Sequence, residues 1–291
     1  MKIIVADAME DDVLAEIRKL GEVSYRPADI YAEVAKADVL IVRSATKVTE
    51  ALVANSSLKV VARAGVGLDT IDVPACEKKG IKVINTPGAS SDAVAELALA
   101  FMLALARKIP QAHMSMKQGK WDKKAFVGSE LAGKTLGIVG YGRIGSKVAK
   151  LANGFGMKIM CANLSPVKDP LVSQVTLDEL VAKSDYVSIH VALTPQTKGL
   201  FNRELMAKMK KGAYIMNLAR GPVVDEGALY DALKSGQLGG AALDVYPQEP
   251  YQGKLLELDN TVLAPHIGGS TKEAQARIGS ELIAQLKVLL A

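Results

Sequence analysis

The chain has 291 residues, 49% of them hydrophobic and 23% charged, with a formal net charge of +5. That length is too great for one ordinary core, so two domains are expected, and the composition excludes a disordered protein. Cys76 and Cys161 are the two cysteines and neither has a C-x-x-C partner, which excludes a disulfide framework and a zinc site; no metal is expected.

The opening run from Lys2 to Ala6 reads as an apolar strand and not as a charged leader with a long apolar core, which points to the cytoplasm. Further short β-rich runs follow at Asp38 to Val42, Lys59 to Ala62 and Lys82 to Ile84, alternating with helical patterns. That rhythm predicts βα units around a parallel sheet. A long helical stretch from Ser91 to Gly119 reads as the bridge to a second domain. Its most apolar part, Ala93 to Ala106, carries Glu96 and is shorter than the roughly 20 residues that cross a bilayer, so no membrane is expected as a partner.

A second series of strands is predicted at Thr135 to Val139, Lys158 to Ala162, Tyr186 to His190, Ala213 to Leu218, Ala241 to Val245 and Thr261 to Ala264. Two parallel sheets are implied. Ser270-Thr271-Lys272-Glu273 then offers a cap with Glu three residues on, opening a last amphipathic helix to Ala291. The basic residues are scattered, and their densest runs read as solvated faces; no nucleic acid is expected, and an anionic metabolite accounts for the surplus equally well.

The strand Thr135 to Val139 leads directly into Gly140-Tyr141-Gly142-Arg143-Ile144-Gly145 and then a helical pattern. Strand, tight turn and helix are the context in which this spacing binds a dinucleotide. The first glycine permits the turn, the second lets the pyrophosphate approach, the third allows close packing, and the helix N-terminus supplies amide donors. An acidic residue roughly 20 positions on normally receives the adenosine ribose hydroxyls. Here the second strand ends at Asn163, with no Asp or Glu before Asp169. NAD(H) is favoured, but the carboxylate that repels a 2′-phosphate is missing there, so NADP(H) stays open, with Arg143, Ser165 or Lys168 as phosphate contacts.

Hydride transfer at a carbon bearing oxygen needs a proton acceptor or donor, a positive group for the carboxylate and carbonyl, and a partner for the base. Arg220, Glu249 and His266 each stand just past a predicted strand end, where open α/β sheets hold their ligands. Of the other histidines, His113 lies on a Met-rich helical stretch and His190 closes a strand where it would line the cofactor pocket.

Several segments together resemble the D-2-hydroxyacid dehydrogenase family: Val42 to Thr49, Arg63 to Asp69, the glycine turn, Asn217 to Gly221, Asp225 to Leu229, Ala241 to Val245 and Pro265 to Lys272. The resemblance covers essentially the whole chain in order. It implies two Rossmann-like α/β domains with parallel sheets. One is a flavodoxin-like substrate domain, residues 1–90 plus 268–291; the other is a dinucleotide-binding domain, residues 91–267. By position it implies that His266 is the general base, that Glu249 hydrogen-bonds it, and that Arg220 binds the carboxylate and carbonyl. Asp244 would contact the nicotinamide amide. Gly140, Gly142, Arg143, Ile144, Gly145, Asn163, His190 and Ala219 would line the cofactor.

On the substrate side the resemblance implies backbone amides around Gly65, Val66 and Gly67 for the carboxylate, and Arg43 and Arg63 for a substrate phosphate. Val66 stands where relatives that act on a phosphorylated acid often have a small hydroxyl residue. The expected reaction is oxidation of 3-phosphoglycerate to 3-phosphohydroxypyruvate, a step of serine biosynthesis. The alternative is an NADPH-dependent reductase of glyoxylate or hydroxypyruvate. A reading from another class is a dinucleotide-sensing, corepressor-like interaction protein, for which no partner-binding segment outside the core is seen. The resemblance also implies a homodimer built through the nucleotide domains with the apolar helix Ala93 to Arg107 and its neighbours. Many relatives carry an added regulatory domain; the chain stops at Ala291, so feedback through such a domain is not expected.

Overall fold

Short, nearly unbroken apolar runs build two sheets whose faces are both covered. The computed structural model describes residues 1–290. It divides into two compact units, one of Met1–Ser91 with the stretch from Gly269 onward, the other of Asp92–Gly268.

In the first unit the strands are β1 (Lys2–Val5), β2 (Glu22–Tyr25), β3 (Val39–Val42), β4 (Val60–Arg63) and β5 (Lys82–Asn85). They pair in parallel in the order β2-β1-β3-β4-β5, the flavodoxin-like arrangement. Successive residues point to opposite faces: Ile3, Val39 and Val60 enter one core, while Ile4, Leu40 and Val61 enter the other. Burial on both faces explains why these strands are nearly continuous apolar runs. The helix Lys272–Leu290 covers the first of these faces with Ile278, Leu282, Ile283 and Leu286. Its cap is Thr271, whose Oγ1 accepts from the Ala274 amide at 3.1 Å. The expected last residue of that helix, Ala291, lies outside the described residues.

The second unit holds β6 (Thr135–Val139), β7 (Lys158–Ala162), β8 (Ser173–Gln174), β9 (Tyr186–Ile189), β10 (Ala213–Asn217), β11 (Leu238–Leu243) and β12 (Thr261–Leu263). All pair in parallel in the order β12-β11-β10-β9-β6-β7-β8. Counted from β6 this is the doubly wound order of nucleotide-binding sheets extended by one strand, and its direction reverses between β6 and β9. Leu136, Ile138, Tyr186 and Met216 face one core; Val139, Val187, Ile189 and Ile215 face the other.

Three features differ from the sequence expectation. Strands β2 and β8 have no counterpart in that expectation; both are sheet edges, and β8 is two exposed residues long, so neither needs an apolar run. The long helical stretch is two helices, Ser91–Arg107 and Ile109–Lys117, because Lys108 turns left-handed at φ 51 and Pro110 occupies the first turn of the second. Strand β11 begins earlier than expected, at Leu238. A Cβ on Gly239 would stand 2.5 Å from the Gly212 carbonyl oxygen, so neighbouring backbone requires glycine in what looks like a poor strand sequence.

Gly279 serves a similar need in the first unit, where a Cβ would lie 2.3 Å from Val13 Cγ2 on helix Asp11–Arg18. Gly279→Ala is therefore expected to destabilise by about 1–3 kcal/mol, whereas an uncrowded helical Gly→Ala stabilises by about 1 kcal/mol. Thermal unfolding decides, and a raised midpoint would remove the close crossing.

Strand β9 runs out at His190. Its Nε2 lies 2.8 Å from Ser188 Oγ, and its Nδ1 is buried without a hydrogen-bond partner among the described residues. Burial pulls the pKa of this imidazole down to about 4 from 6.5. The unfolded chain therefore takes up a proton near pH 6.5 that the folded chain refuses until about pH 4, so acidification through that window costs stability. In His190→Gln the loss of unfolding free energy between pH 7 and 4 should shrink by roughly 3 kcal/mol. Denaturant titrations across that range test it; parallel curves would mean that His190 is not held neutral.

Candidate active site

In the second unit the candidate residues gather past the carboxyl ends of three adjacent strands. Asn217, Leu243 and Leu263 lie in one register row across β10, β11 and β12. Arg220 stands three residues beyond that row, Asp244 one beyond, and His266 three beyond.

His266 has φ 55, a left-handed conformation that costs a residue bearing a side chain about 1–3 kcal/mol and persists only where neighbours impose it. Here Asp244 imposes it. Its carboxylate, 3% exposed, accepts the Ile267 amide at 2.7 Å and the Gly268 amide at 2.8 Å, while the His266 amide donates to the Ala264 carbonyl at 3.0 Å. Burial pushes the Asp244 carboxyl above the ordinary range, against the two amides and the nearby His266, which lower it.

The His266 imidazole then meets Glu249, with Nδ1 2.8 Å from Oε2. The other carboxylate oxygen of Glu249 accepts the Tyr246 amide at 3.1 Å, so the glutamate is itself fixed by backbone. An ionised carboxylate only accepts, so Nδ1 carries the proton and Nε2 keeps its lone pair. A proton acceptor with a set tautomer results. Both side chains remain about one-third exposed, at 35% and 37%, and so are open to a reactant.

Arg220 is placed by Asn217, which is 1% exposed. Asn217 accepts the Ala219 amide at 3.1 Å and donates to the Arg220 carbonyl at 3.0 Å; the Arg220 guanidinium donates to the Ala219 carbonyl at 2.6 Å. A Cβ on Gly221 would come 1.9 Å from the Tyr246 carbonyl carbon. Backbone therefore lies against backbone where the Arg220 turn meets the segment that leads to Glu249. Tyr246 ties the same edge together from below, donating to the carbonyls of Leu243 and Ala264.

The dinucleotide turn has the form its spacing predicts. Gly140 has φ 94, and a Cβ there would stand 2.8 Å from the His190 carbonyl; one on Gly145 would stand 2.3 Å from the Gly140 carbonyl oxygen. Gly142 caps the helix Arg143–Gly154 with no capping side chain and with open space where a Cβ would be. The first-turn amides, including those of Arg143 and Ile144, have no intrahelical carbonyl to pair with and suit a pyrophosphate, and the His190 Nδ1, without a partner among the described residues, is a further donor or acceptor near the turn. Asn163, at the end of β7, accepts the Tyr141 amide at 3.0 Å. These residues fit a dinucleotide.

The remaining candidates lie in the first unit. The carbonyls of Gly65, Val66 and Gly67 are all drawn inward, accepting from the Thr86 amide at 3.0 Å, from Asn85 Nδ2 at 2.6 Å and from the Arg63 guanidinium respectively. The Gly65 amide donates to the Arg63 carbonyl at 2.9 Å. Arg63 is 6% exposed and shapes this loop from within. Arg43 is more open; Asp7 accepts its amide at 2.5 Å and bonds the Thr46 hydroxyl at 2.6 Å, which orders the turn that carries it. Asp7, Asn85, Asn217 and Tyr246 carry no role that sequence alone suggests; Asn217 and Tyr246 lie within the segments that hold Arg220 and Glu249, and Asp7 and Asn85 lie outside any such segment.

Residues 99–268 match the D-isomer specific 2-hydroxyacid dehydrogenase, NAD binding domain. A hydroxypyruvate reductase from Thermotoga maritima is 54% identical over 255 residues, 86% of this chain and 83% of that protein. A D-3-phosphoglycerate dehydrogenase from Methanocaldococcus jannaschii is 46% identical over 301 positions, taking in 100% of this chain but only 57% of the relative, so the chain spans little more than half of that protein. Among solved structures, the D-lactate dehydrogenase from Aquifex aeolicus complexed with NAD and lactic acid superimposes with a TM-score of 0.91 at 31% identity, covering 100% of this chain and 95% of that one. With an NAD-binding domain that extends over most of its second unit, the chain belongs to the D-isomer specific 2-hydroxyacid dehydrogenase family.

Proposed function

We propose that the chain oxidises 3-phosphoglycerate to 3-phosphohydroxypyruvate, or runs the reverse reduction, with NAD(H) as the favoured cofactor. The observation that carries the chemistry is the His266 Nδ1 contact with Glu249 at 2.8 Å, which leaves Nε2 as the proton acceptor. In the oxidative direction Nε2 takes the substrate hydroxyl proton, Glu249 steadies the resulting imidazolium, and Arg220 holds the carboxylate and the developing carbonyl oxygen. The nicotinamide, when bound, supplies the hydride acceptor. Asp244 keeps the loop of His266 in place and is the candidate contact for the nicotinamide amide. Within the first unit, the amides around Gly65, Val66 and Gly67 are the candidates for a substrate carboxylate, and Arg43 and Arg63 for a substrate phosphate; Arg43 donates to the Ala8 carbonyl at 3.0 Å and Arg63 to the Gly67 carbonyl.

A second reading rests on one observation. The chain covers 83% of a hydroxypyruvate reductase at 54% identity, which favours the unphosphorylated oxo acid as substrate. Initial rates with phosphohydroxypyruvate, hydroxypyruvate and glyoxylate, each with NADH and NADPH, separate the two. We also infer a cytoplasmic homodimer. Among the described residues no helix is long and apolar enough to cross a membrane, and Ile109, Met114, Met116, Trp121 and Val127 are exposed apolar side chains on the segment that follows the helix Ser91–Arg107.

His266→Ala should lower kcat by roughly two to four orders of magnitude and leave the dissociation constant of the dinucleotide within about twofold. Turnover at the wild-type level in that variant removes His266 from the chemistry. Arg43→Ala should raise KM for phosphohydroxypyruvate about tenfold more than KM for glyoxylate, because only the former offers a phosphate to pair with. An equal rise for both substrates would assign Arg43 to the loop alone.

A further inference from the structure

The acid expected at the end of β7 is replaced by Asn163, yet a carboxylate is carried to the same neighbourhood by another route. Asn163 works as a staple: Oδ1 accepts the Tyr141 amide and Nδ2 donates to the Ser165 carbonyl, each at 3.0 Å. Gln174, on edge strand β8, then fastens the loop that follows. Its Nε2 donates to the carbonyls of Asn163 and Ser165 at 3.0 and 3.1 Å, and its Oε1 accepts the Val167 amide at 2.8 Å. Further along that loop Asp169 receives the Leu171 amide on Oδ1 at 2.9 Å and the Tyr141 hydroxyl on Oδ2 at 2.7 Å.

Tyr141 is the variable residue inside the glycine turn. Its backbone amide touches Asn163 and its hydroxyl touches Asp169, so the Asp169 carboxylate is held one tyrosine side chain away from the turn. The ring is partly buried on the same core as Val167 and Val172, which fixes its direction. Burial and Asp169 push the tyrosine hydroxyl well above its usual range, so it remains a neutral donor, while the Leu171 amide and that hydroxyl hold the Asp169 carboxyl below the usual carboxylate range. Among the described residues no cation pairs with Asp169.

We infer that Asp169, positioned by the Tyr141 hydroxyl, is a specificity-determining residue that disfavours the 2′-phosphate of NADP(H), so that the chain selects NAD(H) despite the neutral Asn163. The inference rests on the dinucleotide reading of the glycine turn. A 2′-phosphate adds nearly two negative charges, and its repulsion by one fixed carboxylate on the loop after β7, at a partly solvated effective dielectric, would weaken its binding about tenfold. Tyr141 is a positioning residue here, since it acts through Asp169.

Fluorescence titration of the whole chain with NADH and NADPH tests this in the wild type and in Asp169→Asn, which keeps an acceptor for the Tyr141 hydroxyl. The wild type should bind NADH more tightly, and Asp169→Asn should gain about tenfold for NADPH with NADH within about twofold. Tyr141→Phe, which frees the charge without removing it, should give an intermediate ratio. Raising the salt should narrow the wild-type preference, because the term is a screened repulsion; this arm needs no variant to fold. An unchanged ratio in Asp169→Asn, or a wild-type ratio indifferent to salt, overturns the inference while leaving the dinucleotide site intact. Failure of the wild type to bind either dinucleotide overturns the site and the inference together.

Discussion

One buried carboxylate holds the chemical edge of the second unit together. Asp244 follows directly on β11, is almost without solvent, and accepts the two amides that come after His266. Those bonds compensate a charge that burial would otherwise expel, and they keep His266 in a backbone conformation it would not choose alone. Everything else at that edge is arranged around the resulting loop. Glu249 reaches the imidazole only because the segment after Tyr246 lies backbone to backbone against the turn of Arg220. A single register row across β10, β11 and β12 thus becomes an arginine, a carboxylate pillar and a base with a set tautomer.

The cofactor end of the sheet works on the opposite principle. There glycine removes side chains, where the catalytic edge adds hydrogen bonds. Gly140 and Gly145 bring strand, turn and helix within contact distance of one another, and Gly142 leaves the first turn of a twelve-residue helix without a side-chain cap. The buried Nδ1 of His190, without a hydrogen-bond partner among the described residues, is a cost to the folded chain. Binding sites commonly carry such costs, because a group already paired within the protein has nothing to offer a ligand.

The fold class was legible because both sheets are parallel and covered on both faces, which forces their strands into short, nearly unbroken apolar runs. Strands β6 and β7 have the bounds that their sequences suggest. Edge strands β2 and β8 escape such a reading, since one side of each meets no neighbour. The glycine turn and the positions of Arg220, Glu249 and His266 past strand ends were visible as spacing in the chain. What each side chain touches was not. Asp244 lies 23 residues from Ile267, and Tyr141 lies 28 from Asp169; no local pattern announces either pair. Arg63 is the sharpest case, because its composition suggests a ligand for an anion, whereas its guanidinium turns to the carbonyl of Gly67 in its own loop.

The return of the last helix to the first unit has a consequence for how the protein is made. Ile278, Leu282, Ile283 and Leu286 complete a core begun by Ile3 and Val5, yet they leave the ribosome only after the whole of Asp92–Gly268. At about 5–20 residues per second, the open face of the first sheet waits roughly 10–35 s for its cover. During that interval the helix Asp11–Arg18 covers part of that face with Val13, Leu14 and Ile17, and the apolar surface that the last helix will cover stays open in the cell. Chaperone demand should therefore be written into this topology, and it should be greatest for the unit whose sequence is translated first.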